Sequence, residues 1–228
     1  SACRGTRPKP SRTTYIAGLE EILFNSYRLA PLLYCSENVK DSMHVVQKMG
    51  GLCLSEVCNF TLWDKNEISN TNHRQKKPFI QSDIFKKGHT DIYLDVEKIK
   101  RSTSSWGKNS LVESQSVLVG RDFRLNPRIF NPQKKESIVI DKTICAIGIK
   151  EKWKKRIDIE YLAYQLDSRY FLNQVLFNIR YLLPDVALTK EYYGKLLFPL
   201  PPLKEQKEYV ANQKNARLKD LALGNKEL

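Results

Sequence analysis

Two consecutive prolines, Pro201 and Pro202, divide this 228-residue chain into two kinds of sequence. Proline lacks a backbone N–H and holds φ fixed, so the pair ends the extended apolar run from Leu196 to Leu200. Pro202 also suits the first turn of a helix, where the missing donor is no loss. From Leu203 to about Leu223 the sequence is rich in Lys, Glu, Gln and Ala, and Gly224 stops it. This stretch predicts a helix roughly 30 Å long at about 1.5 Å per residue. Its apolar stripe, Val210, Leu218 and Leu221, is thin. A long polar helix with so narrow a seam reads as a spacer that wants a partner helix or, alternatively, as a simple C-terminal appendage.

Ahead of the prolines the texture is mixed. Residues 1–14 are basic and rich in Pro, Ser and Thr, a flexible lead-in, and a helical rhythm through Leu19, Ile22 and Leu23 runs to Pro31. Gly50-Gly51 marks a boundary, after which Leu52 to Trp63 restarts as short helix and strand. Runs of β-branched and apolar residues at Phe79-Ile80, Ile92 to Leu94, Ser116 to Val119, Ser137 to Ile140 and Thr143 to Ile147 predict strands separated by polar loops. Asp158 caps a helix that continues to about Phe177, burying Tyr161, Tyr164 and Phe171, and Thr189 caps a short helix over 190–194. The fold class expected is mixed α+β, divided as an N-terminal linker and helical segment (1–50), a central domain (51–201) and a C-terminal spacer or docking helix (202–228).

Charge narrows the function. Lys and Arg number 38 against 25 Asp and Glu, a net +13. The excess sits in the middle of the chain: residues 73–101 hold 8 basic and 4 acidic residues and residues 119–156 hold 11 and 4, whereas residues 1–72 hold 8 and 7. Basic loops between rigid strands suit a polyanion, because the strands position them. The candidate contacts are Arg74, Lys76, Lys77, Lys86 and Lys87; Arg121, Arg124, Arg128, Lys134 and Lys135; and Lys152, Lys154, Lys155 and Arg156. Arg reads base edges and Lys neutralises phosphate; the bland alternative for each group is a solvated face. Trp106, in a Ser-rich loop, reads either as a DNA wedge or as a packing anchor.

Other chemistries find little support. No apolar run approaches the roughly 18–20 residues of a bilayer span, and no basic-then-apolar leader opens the chain, so a cytoplasmic location is expected. The chain begins at Ser1 without Met, which is expected of a processed chain, a recombinant form or a piece of something longer, the last two being favoured. Five cysteines, with no CxxC pair, argue against a disulfide framework or zinc site; Cys53 and Cys58 read as small buried side chains. None of the three histidines has a nucleophile pattern around it. The clustered carboxylates Asp83, Asp91, Asp95 and Glu97 lie among Lys86, Lys87, Lys98 and Lys100 and read as charge balance. The alternative is an unrecognised metal-dependent nuclease, in which Asp91→Ala would abolish cleavage.

Phe198-Pro199-Leu200-Pro201-Pro202-Leu203-Lys204-Glu205-Gln206, followed by a polar helix, resembles the end of a target recognition domain in type I restriction–modification specificity subunits. Ile157 to Ser168 resembles the family's preceding helix, Leu111 to Arg121 its central strand and Leu52 to Asn59 its opening strand and helix, so the likeness covers about residues 52–223. It implies a small twisted sheet or partial barrel with flanking helices and a long C-terminal helix. The motif occurs once, where the family carries two units in tandem. Asn25 to Tyr34 is similar instead to the junction after the catalytic domain of adenine-specific (N-6) DNA methyltransferases.

The resemblance implies sequence-specific binding of double-stranded DNA that directs a methyltransferase or restriction–modification complex, with Glu205, Gln206, Val210, Leu218 and Leu221 on the helix that meets a methyltransferase subunit or a second recognition domain. Methylation itself needs an Asp/Asn-Pro-Pro-aromatic turn; Asn126-Pro127-Arg128-Ile129 and Asn131-Pro132-Gln133-Lys134 lack the second proline and the aromatic and read as turns. No enzymatic activity is expected of the chain alone, and S-adenosylmethionine is expected only on a methyltransferase partner or a missing domain. The competing class is a nonspecific nucleic-acid or protein-interaction module, distinguished by a flat sequence preference.

Overall fold

The computed structural model describes residues 44–63, 77–85, 91–102, 110–121, 126–132, 136–180 and 189–224, without the side chains of 102, 173, 176–180 and 217–224. All of these belong to one compact unit, Asn38–Leu228. In chain order its elements are β1 (Leu52–Cys53), α1 (Leu54–Val57), β2 (Cys58–Leu62), β3 (Lys77–Ile80), β4 (Arg101–Ser102), β5 (Leu111–Val112), β6 (Ser116–Gly120), β7 (Arg128–Phe130), β8 (Ile138–Ile140), β9 (Ile144–Ile149), α2 (Ile159–Leu166), α3 (Arg169–Arg180), α4 (Lys190–Gly194), β10 (Leu197–Phe198) and α5 (Leu203–Gly224). The fold is α+β.

The central sheet has the order β2-β9-β6-β7, antiparallel throughout. Strand β6 reads Ser-Val-Leu-Val-Gly, and all five residues are buried. Successive side chains of a strand face opposite ways, so a strand without polar alternation must be covered on both faces. Val117 and Val119 point into a core made with Leu54, Tyr161, Leu162, Phe171, Tyr193 and Phe198 from the helical side. Leu118 joins Ile80, Phe130, Ile138, Ile140 and Ile144 on the other. That second core is roofed by a small sheet of order β4-β3-β8-β5, in which β3 and β8 are parallel and the outer pairs antiparallel.

Helix α2 starts where Asp158 Oδ1 accepts the N–H groups of Glu160 (2.8 Å) and Tyr161 (3.2 Å). It does not run on to Phe177 as expected. It stops at Leu166, and Ser168 Oγ accepts from Phe171 N at 3.3 Å to begin α3. The expected strand at Ile92 to Leu94 forms only an isolated bridge, Tyr93 beside Ile129.

The two ends of the unit are sewn together. Strand β1 pairs with β10, and Leu54 N donates to Leu196 O at 2.8 Å. The buried Gln174 amide imitates a further strand, accepting from Leu197 N (2.8 Å) and donating to Leu197 O (3.0 Å). Tyr193 Oη donates to Gly120 O at 2.8 Å, pinning α4 to β6. Before β1, a helical turn over residues 44–48 buries Val46 and ends at Gly50, whose φ is +74°. A Cβ at Gly51 would lie 2.6 Å from Val46. Residues 44–50 are therefore packed into this unit, and the Gly pair is a turn within it.

Helix α5 finds a partner helix for its first half within the chain, in α2. Val210 is buried in the helical core, Tyr209 meets Tyr161 edge-on at 5.5 Å, and Lys214 Nζ reaches Glu160 at 2.7 and 2.8 Å. Pro202 precedes rather than opens the helix, since its carbonyl accepts the first helical bond, from Gln206 N at 3.1 Å. No helix among the described residues is long and apolar enough to cross a membrane.

Candidate nucleic-acid interface

The last three carbonyls of α1 have no partners inside so short a helix. The segment leaving β9 takes all of them. Lys150 N donates to Val57 O at 2.9 Å, the Lys150 ammonium donates to Ser55 O, and Trp153 Nε1 donates to Glu56 O at 3.1 Å. Glu151–Trp153 is a single 3-10 turn. Helix α1 is itself held from behind, where Gly194 approaches so closely that a Cβ there would lie 3.1 Å from Ser55 Cβ. A rigid platform thus carries the basic run.

On it, the Arg156 guanidinium lies 4.7 Å from the centre of the Trp153 ring and Lys152 Nζ lies 5.8 Å from it. Cation–π contact of this kind orders a long side chain without neutralising it. Lys154 pairs with Glu151 at 2.6 Å. Lys152, Lys155 and Arg156 are exposed, and no carboxylate of the described residues forms an ion pair with them. From the other side comes Gln206, fully buried at 0% exposure. Its Oε1 accepts from Asp158 N at 2.9 Å, while Nε2 donates to Arg156 O and Pro201 O, both at 2.8 Å.

The remaining candidates divide. Arg128 is a correction: it lies in β7 at 8% exposure, and its guanidinium donates to Asp91 O (2.9 Å) and Ile84 O (3.4 Å). It holds the 3-10 turn Ser82–Phe85 and the 91–94 segment to the sheet and presents nothing to a ligand. Gln206 and Val210, expected to face a partner, face inward instead, because the helix root is bonded to its own domain; Glu205 is exposed. Lys77 donates to Ser137 Oγ, and Arg121 Nη1 donates to Lys142 O at 2.9 Å. Arg74, Lys76, Lys86, Lys87, Trp106, Arg124, Lys134 and Lys135 lie outside the described residues, as do the side chains of Leu218 and Leu221.

The topology nevertheless groups the points where those segments join the sheets. Lys77 pairs with Ser102 and bonds to Ser137, so the residues leading into β3, out of β4 and into β8 share one end of the small sheet. Asn126 Nδ2 donates to Phe85 O at 3.0 Å, so the borders of 86–90 and 122–125 meet elsewhere.

Two further environments bear on chemistry. Asp95 pairs with Lys98 at 2.7 Å, both exposed, and Lys98 holds the Asp95 carboxyl below its ordinary range. Burial, then a hydrogen bond to Glu160, pushes the Tyr93 hydroxyl up to about 12. The Trp153 platform went unseen in the sequence, though its signal was present: a lone indole inside Lys152 to Arg156 is an anchor for the cations around it.

No protein-family model and no curated protein matches the chain. Among solved structures, a chain from work on complex assembly and conformational transition of the type I R-M system superposes with a TM-score of 0.50 at 17% identity, covering 82% of this chain and 47% of that one. The HsdS subunit from Thermoanaerobacter tengcongensis gives 0.46 at 15% identity, covering 84% and 46%. The S subunit of the type I restriction-modification system from M. genitalium gives 0.41 at 10%, covering 89% and 55%. The first shows a shared fold, in keeping with the resemblance seen in residues 52–223. This chain spans about half the length of the chains it matches.

Proposed function

We propose that this chain is a DNA target recognition domain, a half-reader that supplies sequence specificity to an adenine (N-6) methyltransferase within a type I restriction–modification assembly. The observation that carries it is the Lys150 to Arg156 platform: exposed cations on a backbone fixed at both ends, with one guanidinium ordered on an indole. Arg so held offers a preformed fork to a phosphate or guanine edge, and Lys152 and Lys155 add point charges for the backbone. Chemistry and S-adenosylmethionine belong to the methyltransferase, and the assembly works in the cytoplasm. The outward residues of α5, Glu205 among them, meet the methyltransferase subunit or a second recognition domain.

The test is selection from duplexes carrying a short random segment, with bound DNA sequenced at low and moderate salt. Enrichment of one motif of a few base pairs is the expected result. Binding without enrichment leaves only an electrostatic DNA binder, and absence of binding removes the reading.

A further inference from the structure

Gln206 belongs to α5 by sequence but to the basic platform by its bonds. Its amide spans the carbonyl of Arg156, the N–H of Asp158 and the carbonyl of Pro201, at 2.8, 2.9 and 2.8 Å. Every polar atom of the side chain is used, and no water is needed to complete the set. The last cation of the platform, the cap of α2 and the root of the long helix are therefore fixed by a single group. The other anchors of the platform, Val57, Glu56 and Ser55, all hold its first half, up to Trp153. The two that follow, Arg156 N to Trp153 O and Ile157 N to Trp153 O, lie within the turn itself. Gln206 is thus the described side chain that ties the main chain at Arg156 to another element.

We infer that Gln206 is a positioning residue for DNA binding, which sets the Arg156 guanidinium by clamping its main chain to the root of α5. The inference rests on the functional reading above and deepens it: any displacement of α5 by a bound partner is transmitted to the cation that meets the DNA. A buried amide that only stabilised the fold would act on affinity through folded fraction alone. Gln174 is the control, since it too is a buried amide with paired backbone bonds, but to β10.

The experiment is a double-mutant cycle on the full chain, with affinity for the selected duplex measured at fixed salt and corrected for folded fraction. Arg156→Ala is expected to weaken binding about fivefold in the wild-type and Gln174→Met backgrounds but less than about twofold in Gln206→Met, because coupled residues are non-additive. Equal effects in all three backgrounds overturn the inference and leave the functional reading standing. Loss of additivity with Gln174→Met as well also overturns it, since loosening of the core would then suffice. If Arg156→Ala has no effect in the wild-type chain, the platform is not the DNA contact and both readings fall. Should Gln206→Met not fold cooperatively, Gln206→Asn, which keeps a buried amide but withdraws it by one methylene, replaces it in the same cycle.

Discussion

Arg128 shows how a residue's chemistry depends on where its backbone runs. Its guanidinium satisfies two main-chain carbonyls from segments that are far away in sequence. Arg128→Ala would leave both without that partner and is expected to cost about 2–4 kcal/mol, while duplex affinity per folded molecule stays unchanged. Urea unfolding and binding titrations, read together, check the pair of outcomes. The sequence misleads at this position because Asn126-Pro127 signals a turn, and a turn among basic residues suggests a surface. The neighbouring Ile129 and Phe130 were the contrary signal. Of the two cysteines expected to be buried, Cys58 is buried, whereas Cys53 is half-buried. Burial pushes the Cys58 thiol up from its ordinary 9.0 to about 12, against a smaller downward pull from Lys150. A raised folded-state value favours the folded chain below the unfolded value, and the benefit disappears as pH rises. Stability is therefore expected to fall from about pH 9 toward 12, and Cys58 should resist thiol reagents at pH 8 until the chain unfolds.

Elements were legible where one signal dominated. Strands β6, β8 and β9 declare themselves as runs rich in Val and Ile without polar alternation, because both of their faces are covered. Asp158 and Thr189 declare helix starts through cap chemistry. Partnership between elements was not legible. The parallel pairing of β3 with β8 joins Phe79 to Val139, and the burial of α5 against α2 joins Tyr209 to Tyr161, residues far apart in sequence in both cases. Polar Gln206 is as inward as Val210, so no hydrophobic pattern could have revealed the packed face of that helix. Its contribution can be measured. Val210→Ala is expected to cost about 2 kcal/mol. Truncation after Pro202 removes the Gln206 bonds and strips Tyr209 from Tyr161. Against a total stability of about 5–15 kcal/mol for ordinary domains, that loss is expected to abolish a cooperative thermal transition. A truncated chain that still melts cooperatively would show α5 to be a simple C-terminal appendage.

For the whole molecule the decisive property is how its charge is arranged. A net charge of +13 makes attraction to any polyanion unsurprising, so affinity alone says little. Salt dependence says more, because each neutralised phosphate of duplex DNA releases counterions and contributes about 0.9 to the log–log slope. If the basic segments and the platform together cover about 6–8 phosphates, the slope is expected to lie between about −5 and −7. Replacing Lys152, Lys155 and Arg156 by Ala removes three cations that have no ion-pair partner among the described residues. It should flatten the slope by up to about 2.7 if all three meet phosphates, and by less if Arg156 meets a base edge instead. The same triple substitution at Lys98, Lys142 and Lys190, exposed cations outside the platform, lowers net charge equally. A diffuse electrostatic binder would respond alike to both sets. A recognition surface built on the Trp153 turn responds to the first and barely to the second, so the difference between the two slopes measures how far the DNA is held at one place.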